Sequence, residues 1–366
     1  MNTIKKSFYS LSHQELTDLF QVHNLPPTGV DNLFRWHYKK KETTPCLKDL
    51  AKKSIAFIEE HFHFQLPTIV KSELSDDGTV KMLLQLSDGE LIEMVIIKFH
   101  TKYTLCLSSQ VGCAMNCSFC FTGKQGLKRH LQTHEIVAQF ILASRWLKAH
   151  RPEEEFTHPL KNTVFMGQGE PLHNFDEVKK AVDIFLNPKG LSLGIQKITI
   201  STAGYLPGLK RWLQEMPKVN LALSLHSVDI NTRNELIPIN RAYPLEEVIK
   251  VIQDIPLQRK QYVLYEYLLI KNKNDSLDEA HALGKLLQGT ASIINLIPFN
   301  PFPGTTYEKP AVITIENFRD VLVSYNLAAL IRGTKGDDIL AACGQLNSKH
   351  QNSEPLPSGK IEESVD

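Results

Sequence analysis

From about residue 103 to residue 346 the chain alternates short β-branched or apolar runs with amphipathic stretches, and this rhythm restricts the fold more than any other feature. The runs are YTLCLSS, NTVFMGQ, KITIST, VNLALSLHS, YVLYEYLLI, SIINLIPF and LAALIRG. Between them lie HEIVAQFILASRWLKAH, FDEVKKAVDIFL, LPGLKRWLQEM, LEEVIKVIQDI, LDEAHALGKLLQ and IENFRDVLVSY, whose apolar residues recur at helical spacing. Strand–helix alternation of this kind requires a parallel sheet with right-handed crossovers. The units counted in this way are six, fewer than a closed barrel uses, so the fold class expected is α/β, a partial (βα)6 barrel. Such folds place their chemistry at the C-terminal ends of strands, and every unusual motif below follows a strand.

The region before the barrel reads differently. HQELTDLFQVH, VDNLFRWHYKKK and LKDLAKKSIAFIEEHF predict short helices, giving a small helical accessory domain over residues 1–75. VKMLLQLSDGELIEMVIIKF predicts a hairpin around Ser87-Asp88-Gly89, a linker over 76–102. The barrel then occupies 103–346, and the polar stretch 347–366 is expected to be a disordered tail.

No run approaches the roughly 20 apolar residues of a membrane span, and the start lacks a signal-peptide core, so a cytoplasmic, reducing compartment with no membrane partner is expected. In that setting six cysteines are more often ligands or reactive thiols than disulfides. A net charge of +1 advertises no nucleic-acid partner, although basic residues can be confined to one face. Tyr38-Lys39-Lys40-Lys41, Lys52 and Lys53 near Trp36 and His37 would suit phosphate contact and base stacking. Such a run is also what a solvated helix face looks like. Lys124, Lys128 and Arg129 lie closer to the cysteine motif.

That motif is Cys113-x3-Cys117-x2-Cys120, just after the first barrel strand. Thiolates closely spaced on one loop can wrap an iron–sulfur cube, and three ligands for four irons leave one iron open to a small molecule. Structural zinc wants a fourth ligand and a second cysteine pair, absent here, while catalytic zinc on three thiolates remains an alternative. Two further cysteines read as small packing residues or as thiols with work to do: Cys106 at the end of the first barrel strand and Cys343 after the last. Glu93 is a carboxylate in an apolar strand, ordinarily a solvent-facing position.

The flanks extend the motif. Leu105 through Cys113, Phe119 through Gly126, Gly167-Gln168-Gly169-Glu170-Pro171-Leu172, Ser224-Leu225-His226, Asn295 through Gly304 and Asp337 through Leu346 stand in the order in which they resemble the RlmN/Cfr family of radical S-adenosylmethionine RNA adenine methyltransferases. The resemblance covers about residues 93–346, with looser likeness in the N-terminal domain. It implies a [4Fe-4S] cluster on Cys113, Cys117 and Cys120, whose open iron chelates S-adenosyl-L-methionine and cleaves it to a 5′-deoxyadenosyl radical. It implies that Gly169, Glu170, Ser201, Ser224, Leu225, His226 and Asn300 bind that cofactor. Two molecules are used per turnover, one to methylate Cys343 and one to generate the radical. Cys106 then releases the product, leaving a Cys106–Cys343 disulfide, and Glu93 is the base for the ring proton, a role Cys106 could also take.

The substrates implied are 23S rRNA near the peptidyl transferase centre and the adenosine beside the anticodon in tRNA. A flavodoxin-type electron donor and a monomeric enzyme are expected. Phe119 through Gly126 and the Cys343 segment look more like the group that methylates C2 than the resistance group that methylates C8. The rivals are that C8 enzyme, a radical enzyme acting on a small molecule or protein, and an RNA-binding ribosome-assembly factor with a structural cluster. Gln168, Phe121 and Lys335 depart from the family pattern.

Overall fold

The computed structural model describes residues 5–40, 46–100, 102–151, 160–259 and 261–348. The expected tail from residue 349 onward and Lys41 lie outside the described residues. One ten-stranded sheet organises the molecule, and the order of its strands in space is their order in the chain. The strands are β1 (Thr68–Leu74), β2 (Val80–Gln85), β3 (Leu91–Phe99), β4 (Lys102–Cys106), β5 (Leu160–Phe165), β6 (Ile198–Thr202), β7 (Asn220–Ser224), β8 (Val263–Leu269), β9 (Ser292–Pro298) and β10 (Ala328–Ile331). From β1 to β4 neighbours run antiparallel, and from β4 to β10 they run parallel.

Each parallel crossover carries helix. They are α4 (Thr133–His150), α5 (Phe175–Leu186), α6 (Leu206–Glu215), the pair α7 (Ile230–Leu236) and α8 (Leu245–Gln253), α9 (Leu277–Leu287) and α10 (Val312–Ser324). The partial (βα)6 barrel expected from the rhythm is present, closed by a seventh parallel strand. Strands covered by helices on one side and a filled barrel on the other tolerate apolar residues on both faces, which is why SIINLIP and VLYEYLL read as nearly continuous apolar runs. Local signals start the helices: the Ser276 hydroxyl accepts from Glu279 N at the head of α9, and Gln132 and Glu135 form a reciprocal cap on α4.

Before the sheet come α1 (His13–Val22), α2 (Thr28–Phe34) and α3 (Lys52–His61), packed around Phe8, Phe34, Tyr38 and Phe64. The stretch expected as a hairpin linker is built into the sheet itself. β2 and β3 pair across a turn closed by Leu86 N to Glu90 O (2.8 Å), with β1 on one side and β4 on the other. Continuity matters for the site, because β3 pairs Val95 with Cys106 of β4. Opposed residues project from the same face of a sheet, and alternation puts Glu93 on that face too. Among the described residues no helix is long and apolar enough to cross a membrane.

Candidate active site

The cysteine triplet lies on a loop held shut by two short antiparallel segments, Gln110–Gly112 and Leu127–His130. Gly112 has φ +77°, and a Cβ there would stand 1.8 Å from the Gly126 carbonyl oxygen, so the loop can close only around glycine. Cys113, Cys117 and Cys120 line one cavity of about 160 Å³ at the C-terminal ends of the strands, together with Gly167, Gly169, Glu170, Ser201, Ser224 and His226.

Backbone donors already point at the sulfurs. Met115 N lies 3.5 Å from Cys113 Sγ, and the amides of Gly123 and Thr122 bond Cys120. Burial pushes all three thiols up, Cys113 to about 12, so an electrophilic metal centre is what would hold them as thiolates. Among the described residues no three His, Cys, Asp or Glu side chains converge on the position of one ion. Thiols spread around a shared cavity, two of the three met by backbone N–H donors, fit a polynuclear iron–sulfur group.

Glu170 forms the opposite wall. Its Oε1 accepts from Leu172 N (3.1 Å) and its Oε2 from Ala203 N (2.8 Å), so the carboxylate is fixed while burial raises its pKa to about 7. Gly169 beside it has φ +105°, and a Cβ would lie 2.6 Å from Gln110 Cβ and 2.8 Å from Ser109 Oγ. Gly169→Ala is therefore expected to cost roughly 1–3 kcal/mol from backbone strain alone. Thermal unfolding would read this as a lowered midpoint, and an unchanged midpoint would mean the loop relaxes freely.

His226 also has positive φ, +58°. Its Nδ1 accepts from Leu268 N (3.0 Å), while burial first and Arg233 second push its pKa down to about 3, so the ring is neutral with a proton on Nε2. Ser201 and Ser224 line the cavity at the ends of β6 and β7. The other two residues expected at the cofactor do not line this cavity. Leu225 is fully buried and lines neither this cavity nor its neighbour, and Asn300 faces the neighbouring cavity, where Thr334 Oγ1 donates to its Oδ1 (3.0 Å).

That neighbouring cavity, of about 570 Å³, runs inside the barrel and holds Cys106, Cys343, Glu266, Asn295 and Arg332. Cys343 lines both cavities. It is reached through the barrel mouth while protein surrounds it, which pushes its thiol up to about 11. Cys106 sits deeper, packed with Val95, Ala341 and Leu346, its pKa driven upward by burial and then by the charge of Cys343. Both are free thiols, so the disulfide implied between them is not formed here.

The Cys343 segment is clamped from two sides. Phe121 N donates to Gly344 O (2.7 Å) and Thr122 Oγ1 to Leu346 O (2.6 Å) from the cysteine loop. From the β1–β2 turn, Ser75 Oγ donates to Asp338 Oδ1 (2.6 Å), and Asp77 accepts from Gly336 N (3.1 Å). Glu93 is 1% exposed, and its Oε1 lies 3.5 Å from the ammonium of Lys81, itself 3% exposed. Burial raises Glu93 to about 7, with Lys81 holding it back.

Several residues here were not assigned a role from the sequence. Gln168, one of the departures, accepts from Glu93 N through its side chain (3.1 Å) and from Ser109 N through its carbonyl (2.8 Å), joining β3 to the glycine-rich loop of Gly167 and Gly169. Phe121 stacks on Phe302 with centroids 4.8 Å apart, and Lys335 lies 3.7 Å from Asp77. The hairpin register could have flagged Lys81, a charge among buried strand residues that pairs with Val95 on the sheet face of Glu93, but nothing in the sequence announces Arg233 or Glu266.

Of the cations considered for RNA, Lys128 pairs with Glu90 (2.5 Å) and Arg129 with Asp88 and Glu135 (2.7 and 2.8 Å). His37 is buried against Phe64 and pushed down to about 4 by desolvation, so it is no surface cation. Trp36 instead carries Arg35 and Lys48 over its ring, at 5.3 and 5.7 Å.

A triad of cluster-type thiols facing a carboxylate cradle at the mouth of a six-unit barrel is the arrangement of the radical S-adenosylmethionine enzymes, and residues 107–283 match the Radical SAM superfamily. A radical SAM methyltransferase from Sphaerobacter thermophilus superposes with a TM-score of 0.86 at 35% identity, across 94% of this chain and 99% of that one. The dual-specificity RNA methyltransferase RlmN of Nautilia profundicola is 39% identical over 360 residues, spanning 95% of this chain and 99% of that protein. A probable dual-specificity RNA methyltransferase RlmN of Aquifex aeolicus is 41% identical over 342 residues, spanning 92% and 95%. This chain belongs to the RlmN family of radical SAM methyltransferases.

Proposed function

We propose that the enzyme methylates C2 of an adenosine in 23S rRNA and of the adenosine beside the anticodon in tRNA, with Cys343 as methyl carrier. The observation that carries this reading is the position of Cys343 on both cavities, between the cluster thiols and Cys106. An aromatic C–H carbon of adenine is electrophilic, so direct methyl transfer from a sulfonium is unfavourable there. A thioether carbon that has lost a hydrogen atom can instead add to the ring.

When bound, the cluster supplies the electron that cleaves S-adenosylmethionine. Cys113, Cys117 and Cys120 would hold it, and Gly169, Glu170, Ser201, Ser224 and His226 would seat the cofactor beside it. Leu225 and Asn300 belong to the same proposal by resemblance, Leu225 through its backbone. Cys343 would receive the methyl group of one S-adenosylmethionine, and a second would be consumed in the radical step. Once the radical adduct has given up one electron to a one-electron acceptor, which the oxidised cluster would supply when bound, and lost the ring proton, Cys106 attacks the Cys343 sulfur. The bond from that sulfur to the methylene carbon breaks, the carbon takes up a proton as the methyl product leaves, and an external reductant later opens the S–S bond formed. Glu93, on the same sheet face as Cys106, takes the ring proton.

Adenine must leave its stack to enter the barrel, which favours an RNA loop or an opened helix. The accessory unit over residues 1–75, with Trp36 and its cations, is proposed as an RNA contact. We further propose a monomer working in the cytoplasm with a flavodoxin-type donor. The test is nucleoside mass spectrometry of unmodified 23S rRNA and tRNA after anaerobic incubation with reconstituted enzyme, reductant and S-adenosylmethionine. 2-Methyladenosine in both RNAs is the expected result. 8-Methyladenosine would overturn the regiochemistry, and cofactor cleavage without RNA methylation would overturn the substrate.

A further inference from the structure

Arg233 on α7 is 1% exposed, and all its hydrogen-bond acceptors are neutral. Its Nε donates to Asn240 Oδ1 (3.0 Å), Nη1 to the carbonyls of Ser224 (2.9 Å) and Leu225, and Nη2 to Ala203 O (3.1 Å). Among the described residues it forms no ion pair with a carboxylate. A buried, uncompensated charge costs several kcal/mol, so such a group is expected to have an anion in the finished protein.

The location says which anion. Ala203 and Ser224, whose carbonyls Arg233 holds, line the cavity of the cysteine triplet. The same helix offers Leu236 O to Ser118 N (3.1 Å), in the residue next to Cys117. The carboxylates of the cavity have other partners: Glu170 is met by the amides of Leu172 and Ala203, Glu266 accepts from Asn295 Nδ2 (2.8 Å), and His226 is neutral.

We infer that Arg233 is the built-in counter-charge of the thiolate-held cluster, easing its reduction while its hydrogen bonds fix the strand ends that seat the cofactor. The inference rests on assigning a cluster to Cys113, Cys117 and Cys120. Reduction adds negative charge, so a nearby fixed cation stabilises the reduced form and raises the potential. Arg233 would thus be a positioning and tuning residue, touching the reaction only through the cluster and the backbone.

The test is an EPR-monitored redox titration of anaerobically reconstituted protein without RNA or S-adenosylmethionine. Wild-type protein that binds no iron and sulfide would refute the cluster assignment itself, separately from the inference. Arg233→Gln is expected to lower the reduced-to-oxidised ratio at fixed poise about tenfold, or ~59 mV for one electron. Arg233→Lys, which keeps the charge and loses most of the hydrogen bonds, should shift much less. Asn240→Asp leaves the arginine in place and gives it a buried carboxylate, so it should shift the potential in the same direction as Arg233→Gln even if the latter fails to fold. An unchanged potential in Asn240→Asp would overturn the inference. So would equal shifts in Arg233→Lys and Arg233→Gln, which would leave the side chain a purely structural tie.

Discussion

Cys343→Ala is expected to leave a folded, cluster-binding protein that still cleaves S-adenosylmethionine under reducing conditions and produces no methylated adenosine. The side chain is accessible at the barrel mouth and follows two alanines, so losing one sulfur there should change stability by no more than about 0.5 kcal/mol. Its chemistry is not replaceable in the same way. No other described cysteine lines both cavities, and loss of a covalent carrier costs on the order of 10⁴-fold or more. Cys106→Ala should behave differently: the ring is reached, release fails, and a protein–RNA adduct accumulates that survives denaturing electrophoresis. Methylated RNA from Cys343→Ala at more than about one per cent of the wild-type yield would remove the carrier role.

Glu93 gives the second large effect. Its folded pKa, about 7, is raised above the ordinary carboxylate value by burial, against the opposing pull of Lys81. As a base it must be ionised, so single-turnover methylation should rise with pH through about 7 and level off above it. Glu93→Gln should lose 10²–10⁴-fold, on the order of a general base's contribution, and should lose the acid limb with it. Lys81→Met removes the cation that holds the pKa down, so the limb should move to higher pH.

Stability runs the other way. A raised carboxylate pKa contributes stability that is fully present below the unfolded value and disappears as pH rises through about 7, roughly 3 kcal/mol in all. Wild-type protein should therefore lose stability relative to Glu93→Gln between pH 5 and pH 8. An acid limb that persists unchanged in Glu93→Gln would assign the proton to another group, Cys106 first among them.

The barrel was legible because parallel strands and their helices impose two different periodicities, and seven apolar runs coincide with seven parallel strands. The cysteine spacing was legible because ligands to one cluster must share a loop. Other features depend on partners far away in the chain. Thr68–Leu74 alternates exposed and half-buried residues and reads weakly, yet it is the edge strand that extends the sheet. His37 sits among lysines in sequence but turns inward onto Phe64. Lys128 and Arg129 look free until the β2–β3 turn brings Glu90 and Asp88 across to them. Arg233 belongs to a short polar helix, INTRNEL, whose sequence carries no sign that its guanidinium is wrapped in carbonyls.

The clamp on the Cys343 segment also bears on the order in which the molecule can be completed. Ser75 and Asp338, which meet in that clamp, are 263 residues apart, and the second hold comes from the cysteine loop, about a third of the way along the chain. The reactive thiol is thus seated only after the N-terminal hairpin and the cysteine loop have both taken their final form. Maturation is thereby self-checking: a molecule with a disordered cysteine loop has no fixed place for Cys343, and a half-built chain would not present the proposed carrier.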